Sequence, residues 1–421
     1  MISELKIRNF KSLESVDLKL GHFNLLVGAN ASGKSNFLDA LRFVQGIGKR
    51  FNLREILDGL PGTDTRVKWE GIRAGAKYVG FRRLNGHQAT RIEFDVSFQD
   101  AEIISSFGEP LRYKVRFSAD TDAPYVIEDS LTLQNPDAAT TLHVNYASDS
   151  ENISTRTLRE KKSPRAKPGF DFAHRSHGPF PSVLSGYVPK KLINGPDQYF
   201  DLEHAADNLA SMQFLDPHPA ALRGYSSNVW RLGEDGEGFA ALVHEIESNG
   251  SKTALLEWLK ELRPDEVSDL YALPGAVNDF MAAIKEGNTV FPAPAISEGT
   301  LRFIALAAAF FQPSMPKVLV IEEIEKGLHP SRLRLLLELM RSQSKRTGTQ
   351  VFATTHSPTL LAWLTEEDRK TTFVCTRDAE SGATKMRSLA EVPNLENLIK
   401  ENYNLDQLFE EGWLESVLHE S

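Results

Sequence analysis

The chain has 421 residues, 41% of them hydrophobic and 25% charged, with a formal net charge of −9 at pH 7. That composition belongs to an ordinary globular protein of two or three lobes with an ample core, and the acidic total confines any nucleic-acid contact to a local basic patch. No apolar run approaches the roughly 20 residues of a membrane helix, and the single cysteine, Cys375, rules out an internal disulfide or a zinc ribbon.

Met1-Ile2-Ser3-Glu4-Leu5-Lys6 carries no signal-peptide pattern, so a cytoplasmic protein with no membrane partner is expected. Ile2, Leu5, Ile7 and Phe10 alternate with Ser3, Lys6 and Arg8, which predicts a first strand and a turn over 9–12. Residues 15–20 read as a second strand. Phe23-Asn24-Leu25-Leu26-Val27 reads as a buried third.

Directly after it stands Gly28-Ala29-Asn30-Ala31-Ser32-Gly33-Lys34-Ser35, which fits G-x-x-x-x-G-K-[ST]. Residues 36–44 then carry apolar side chains at helical spacing, up to Gly46-Ile47-Gly48. Strand, glycine loop and helix are the context that a phosphate-binding loop requires. Loop N–H groups and the helix N-terminus converge on phosphate oxygens. Gly28 and Gly33 allow the tight path, Lys34 reaches the β- and γ-phosphates, and Ser35 binds Mg²⁺. Asn30 and Asn36 complete the loop's candidate ATP contacts.

Residues 67–148 change to a period of two: Ile92, Phe94, Val96 and Phe98, then Tyr113, Val115 and Phe117, then Leu142, Val144 and Tyr146. An antiparallel block follows from this. Residues 154–182 collect Arg156, Arg159, Lys161, Lys162, Arg165, Lys167 and Arg175 against Glu160 and Asp171, with four prolines. They read as an exposed insertion without regular structure, either a solvated loop or a contact for nucleic acid or a partner. Residues 200–283 are mostly helical by pattern, and 280–292 form a hairpin turning at Glu286-Gly287-Asn288. Buried strands at 318–321 and 351–354 alternate with helices, which means a parallel sheet. A strand pair around Cys375 and 385–389, then a helical tail, close the chain. Cys375 reads as a small buried apolar residue.

Val318-Leu319-Val320-Ile321-Glu322-Glu323 ends a buried strand in two carboxylates. In a chain with a phosphate-binding loop, Glu322 is placed to hold the metal and Glu323 to deprotonate the attacking water. Thr354-Thr355-His356-Ser357-Pro358 puts His356 at the end of the next strand, within reach of a γ-phosphate. Ala295-Ile296-Ser297-Glu298-Gly299-Thr300-Leu301-Arg302 sets Ser and Gly at a helix start, an N-cap and anion-ready terminus.

Together with Ile7-Arg8-Asn9-Phe10-Lys11-Ser12-Leu13 and Glu322-Glu323-Ile324-Glu325-Lys326-Gly327-Leu328-His329-Pro330, these motifs resemble the ABC-type ATPases of the RecF/SMC kind. The resemblance is closest to their OLD-like bacterial relatives, AAA-family ATPases. It implies an α/β P-loop NTPase, an ABC ATPase head with a mixed, mainly parallel core sheet, an antiparallel β arm lobe and an α-helical lobe. The core would be split over 1–60 and 291–421, with the arm at 61–150, the basic insertion at 151–199 and the helical lobe at 200–290. By the same resemblance Lys11 and Ser12 join the ATP site. Ser297, Glu298 and Gly299 match the signature loop that meets the γ-phosphate bound by the other protomer. Lys326 and His329 belong to the D-loop, and His356 is the switch histidine.

ATP and Mg²⁺ are the implied cofactors. A homodimer or larger oligomer closed by an ATP sandwich is the implied assembly, acting in a DNA-linked process such as genome maintenance or defence against phage. The alternative is an ATP-gated sensor or scaffold that restrains a separately encoded effector protein. A transporter subunit is compatible with the composition, but the long middle region and His329-Pro330 favour the RecF-like group. Glu322 departs from the usual Asp and Ile324 from a frequent proline. No glutamine of the Q-loop stands out among Gln99, Gln198 and Gln213. Too few residues follow His356 for the Toprim nuclease domain of OLD proteins.

Overall fold

The structure, a computed structural model, describes residues 1–62, 69–99, 111–119, 124–133, 140–145, 154–156, 171–173, 206–227, 231–262, 267–401 and 403–419. The chain opens with an antiparallel hairpin of β1 (Ile2–Phe10) and β2 (Leu13–Lys19). Leu5, Ile7, Val16 and Leu18 point inward with the expected period of two. β3 (Phe23–Val27) is buried along its whole length and leads into α1 (Lys34–Gly48).

β4 (Arg91–Phe98), β5 (Leu111–Ser118), β6 (Tyr125–Leu133) and β7 (Thr140–Asn145) form the expected antiparallel block. The sheet is larger than the sequence indicated. Its order is β2-β1-β4-β5-β6-β7, so the first hairpin belongs to it and not to the sheet that carries the loop. Pattern alone could not show this, because β1 alternates equally well against either neighbour. β8 (Ser154–Arg156) and β9 (Asp171–Ala173) pair antiparallel inside the basic insertion, where no regular structure was expected. The remainder of the insertion lies outside the described residues.

β10 (Gln213–Leu215) is a three-residue strand within the stretch that reads as helical. Three residues are too few to show a period. α2 (Phe239–Ser248) and α3 (Lys252–Leu262) follow. The hairpin expected over 280–292 is present as β12 (Phe280–Glu286) and β13 (Thr289–Pro292), with β11 (Asp269–Pro274) paired to its other edge. Then come α4 (Glu298–Ala308), β14 (Val318–Ile321), α5 (Pro330–Thr347), β15 (Gln350–Thr355), β16 (Thr372–Arg377) and β17 (Thr384–Ser388). Short helices over 395–400, 405–410 and 413–419 end the described chain.

The second six-stranded sheet has the order β10-β14-β15-β3-β16-β17. Its first five strands are parallel, and only the edge strand β17 is antiparallel. Both faces are covered, as parallel sheets require. Leu25, Val27, Leu319, Ile321, Val351 and Ala353 pack into one core with α4 and α5. Leu26, Val318, Val320, Phe352 and Phe373 pack into another with α1 and the antiparallel sheet. α1 joins the two sheets: the Phe37 ring lies 6.2 Å from that of Phe352 on β15, and the Phe43 ring lies 4.5 Å from that of Phe94 and 4.9 Å from that of Phe117.

Candidate functional site

Parallel strands bring their C-terminal ends to one edge of the sheet, where ligands bind in open α/β folds. β3 runs into the glycine loop at that edge. α1 begins behind Gly33, whose φ is 105°, with no side-chain cap on its first turn. An uncapped helix N-terminus is an anion site. A Cβ on Gly33 would stand 1.9 Å from Thr384 Oγ1, so only glycine lets the loop close on β17.

A hydrogen-bond chain supports the loop from beneath. Asn36 Nδ2 donates to Ser12 Oγ at 2.6 Å. Ser12 Oγ lies 2.6 Å from Thr384 Oγ1, which in turn donates to the Ser32 carbonyl at 3.0 Å. Ser12 and Asn36 therefore brace the loop from behind, while Asn30 lies exposed at its tip. Lys34 Nζ donates to the carbonyls of Gly28 at 2.6 Å and Ala29 at 2.8 Å. Burial lowers its pKa below the ordinary lysine value, against the pull of Glu322, Glu323 and Glu325.

The acidic pair arrives from β14, two strands away. Ser35 Oγ donates to Glu322 Oε1 at 3.0 Å. Glu323 follows in a left-handed conformation, φ 47°. Its N–H donates to Thr354 Oγ1 at 2.9 Å and its carbonyl accepts from Arg302 Nη2 at 3.2 Å. Thr355 pairs in register with Val27, so His356 leaves its strand beside the start of the glycine loop. His356 is held by Glu325, whose Oε1 lies 2.8 Å from its Nδ1 and accepts its backbone N–H at 2.6 Å.

Two functional candidates escaped the sequence reading. Arg73 donates from Nε to Asp39 Oδ1 at 2.9 Å and from Nη2 to the Ser35 carbonyl, and its Nη1 stands 3.8 Å from Glu322 Oε1. Its only sequence signal is the flanking pair Gly71 and Gly75, both at positive φ. Lys11 binds Asp39 and donates to the Arg73 carbonyl at 2.8 Å, so its amine is committed to this ion cluster. Burial lowers the Lys11 pKa despite Asp39. The second candidate, Asp216, ends β10 beside the acids. A cleft of about 180 Å³ lies between Asp39, Arg73, Asp216 and Glu322.

The segment 297–299 lies against the turn at Gly327. Ser297 caps α4, its Oγ accepting the Thr300 N–H at 3.3 Å. A Cβ on Gly299 would meet the Gly327 carbonyl at 2.4 Å, so the backbones of these two loops touch. Ser297, Glu298, Gly327 and His329 are all exposed there. Lys326 Nζ instead turns to Asp216, at 2.9 Å, and His329 caps α5 through the Ser331 N–H. Of the Q-loop candidates, Gln213 is buried between the Leu232 carbonyl and Gln312, and the Gln99 N–H bonds Met1 at the far end of β4. Neither bonds to the glycine loop or the acids, and Gln198 lies outside the described residues. Cys375 is buried, and burial pushes its thiol up to about 12, which leaves it inert.

A family profile described as "AAA domain, putative AbiEii toxin, Type IV TA system" matches residues 23–362. The chain belongs to that AAA_21 family. A protein of Helicobacter pylori described as an ATP/GTP phosphatase is 24% identical over 386 residues, 89% of this chain and 90% of its own. A shorter stretch is 51% identical over 51 residues to the DNA replication and repair protein RecF of Glaesserella parasuis, 12% of this chain and 14% of that one. The RecF of Nitrosococcus oceani is 31% identical over 94 residues, 22% and 23% of the two chains. A solved SMC head, bound to the C-winged helix domain of ScpA, aligns over 94% of this chain and 99% of its own, with 16% identity and a TM-score of 0.50. That likeness is one of fold. The AAA_21 chain is thus an ATPase-family protein of the RecF/SMC-like group with the fold class that its motifs implied. Among the described residues no helix is long and apolar enough to cross a membrane.

The AAA_21 site fits nucleotide and metal on its own chemistry. Among the described residues Lys34 bonds the Gly28 and Ala29 carbonyls, which a phosphate outcompetes. Ser32 Oγ is buried without a partner among the described residues. Ser35 and Glu322 offer two hard oxygen donors, the kind Mg²⁺ takes when substrate phosphates and water complete its shell.

Proposed function

We propose that the chain binds ATP at residues 28–35 and hydrolyses it, with two copies closing head to tail on the nucleotide. The observation that carries this reading is the Ser35–Glu322 hydrogen bond, which joins motifs 287 residues apart. Glu323 follows Glu322 directly in the chain.

In this reading the loop N–H groups and Lys34 bind the phosphates, and Ser35 and Glu322 hold Mg²⁺. The metal, when bound, draws charge from the phosphate oxygens. Glu323 takes the proton of the attacking water. His356, oriented by Glu325, donates an N–H toward the γ-phosphate, and Arg73 adds a second cation at the same edge. Ser297, Glu298 and Gly299 would meet the nucleotide of the other copy. Their support is the exposed surface they share with Gly327 and His329. The stretches in common with RecF support a DNA-linked role, in genome maintenance or defence against phage.

The test is ATP turnover by the purified chain, with and without Mg²⁺ and with and without DNA. Mg²⁺-dependent phosphate release that rises with DNA is expected. No turnover under any of these conditions overturns the reading. Turnover indifferent to DNA removes the DNA-linked part and leaves the ATPase.

A further inference from the structure

We propose that Arg302 is a positioning residue for Glu323, tying the reactive backbone of each copy to that copy's own Ser297 loop; this rests on the ATPase reading above. Glu323 occupies the left-handed region, which side chains other than glycine avoid. Such a conformation persists only where its surroundings over-determine it, and it clusters at functional sites. Here the Glu323 N–H is held by Thr354 Oγ1 at 2.9 Å. Its carbonyl is held by the Lys326 N–H at 2.9 Å and by Arg302 Nη2 at 3.2 Å. The same Nη2 donates to the Glu322 carbonyl at 3.1 Å. Both peptide oxygens of the acidic pair therefore hang on one guanidinium nitrogen.

The other nitrogen fixes the guanidinium. Nη1 donates to Asp216 Oδ1 at 2.8 Å and to the Pro217 carbonyl at 2.5 Å. Lys326 Nζ closes on Asp216 at 2.9 Å. Burial alone would raise the Asp216 carboxyl, but Lys326 and Arg302 hold it below its ordinary value.

Arg302 is 2% exposed, on a helix whose residues from Leu301 to Ala308 are otherwise buried and apolar. A buried ion pair is weak evidence for stability, so the placement of this charge calls for another reason. A planar fork that bonds four acceptors at once serves orientation. Arg302 lies about one and a half turns beyond Ser297 on one continuous helix. When the Ser297 loop shifts against a nucleotide held by the other copy, Arg302 moves with it, and the Glu322 and Glu323 carbonyls follow.

The experiment compares wild type, Arg302→Lys, Thr354→Val and the double variant as full chains. Lysine keeps a charge for Asp216 but cannot span four acceptors. Valine keeps the shape of threonine and removes the acceptor of the Glu323 N–H. A fluorescent ATP analogue reads affinity and phosphate release reads turnover. Both single variants should bind nucleotide within about twofold of wild type and lose about 10- to 100-fold in kcat, the effect of a small misplacement at a reacting group. The double variant should be no slower than about the slower single one, since both changes act on one backbone conformation. Wild-type kcat in Arg302→Lys overturns the proposal, as does equal loss of binding and turnover. If Arg302→Lys does not fold, Thr354→Val decides: wild-type kcat there overturns it. Absence of turnover in the wild type itself is a different result, which removes the ATPase reading and this proposal with it.

Discussion

Lys34 holds its ammonium against two loop carbonyls, its only hydrogen-bond partners among the described residues. A cation so placed is ready to exchange carbonyls for phosphate oxygens. Lys34→Ala should abolish ATP binding, read by titration with a fluorescent analogue; unchanged affinity would take Lys34 out of the site. Glu322 and Glu323 are adjacent in sequence and separate in geometry. Glu322 faces Ser35, while Glu323 turns through a left-handed backbone. Glu323→Gln should keep ATP affinity and lower hydrolysis by roughly 10²–10⁴-fold, the usual worth of a positioned general base. Glu322→Gln should also raise the Mg²⁺ concentration needed for half-maximal turnover. Matching Mg²⁺ curves for the two variants would show that the acids share one role.

Elements carry the next layer. α1 reaches the antiparallel sheet through Phe43, whose ring stacks on Phe94 and Phe117. Phe43→Ala leaves a cavity between two fully packed surfaces and should cost about 3–5 kcal/mol, measured by denaturant unfolding. A loss under 1 kcal/mol would mean that the sheets meet elsewhere. The hairpin of β16 and β17, which supports the glycine loop through Thr384, turns at Asp378. Its carboxylate accepts the Ser381 N–H and hydroxyl, each at 2.7 Å, and these bonds hold its pKa at about 2. A depressed carboxyl stabilises the fold above its ordinary value near 3.8 and loses that contribution as pH falls toward 2. The stability gap between wild type and Asp378→Asn should therefore be level at neutral pH and close below about pH 4. A gap that widens on acidification would contradict this.

At the scale of the whole molecule, the Ser297 segment and the glycine loop face different neighbours within one chain. Only a second copy would complete the site as proposed. Glu323→Gln, which should retain ATP, is then expected to double its mass in solution with ATP and to remain single without it, as light scattering would record. Lost hydrolysis with no ATP-dependent change in mass keeps Glu323 as the base and removes the head-to-tail assembly.

The glycine loop, its strand and its helix were legible in the sequence because all their determinants are local: two glycines, Lys34, Ser35 and an apolar period on either side. The acids after β14 were legible for the same reason. Local pattern did not place β1 and β2 in the antiparallel sheet, because alternation tells which face is buried and not which strand lies alongside. It did not find β10, which is too short to show a period, and so missed Asp216 at its end. Arg73 was invisible too, and Arg302, though it closes the Ser297–Arg302 segment, showed no role of its own. One lies in a glycine-shaped loop and the other in an apolar helix, and each acquires meaning only from groups far along the chain. Long-range hydrogen bonds to Ser35, Asp39, Asp216 and Glu323 are set by packing, and packing exists only in the folded molecule.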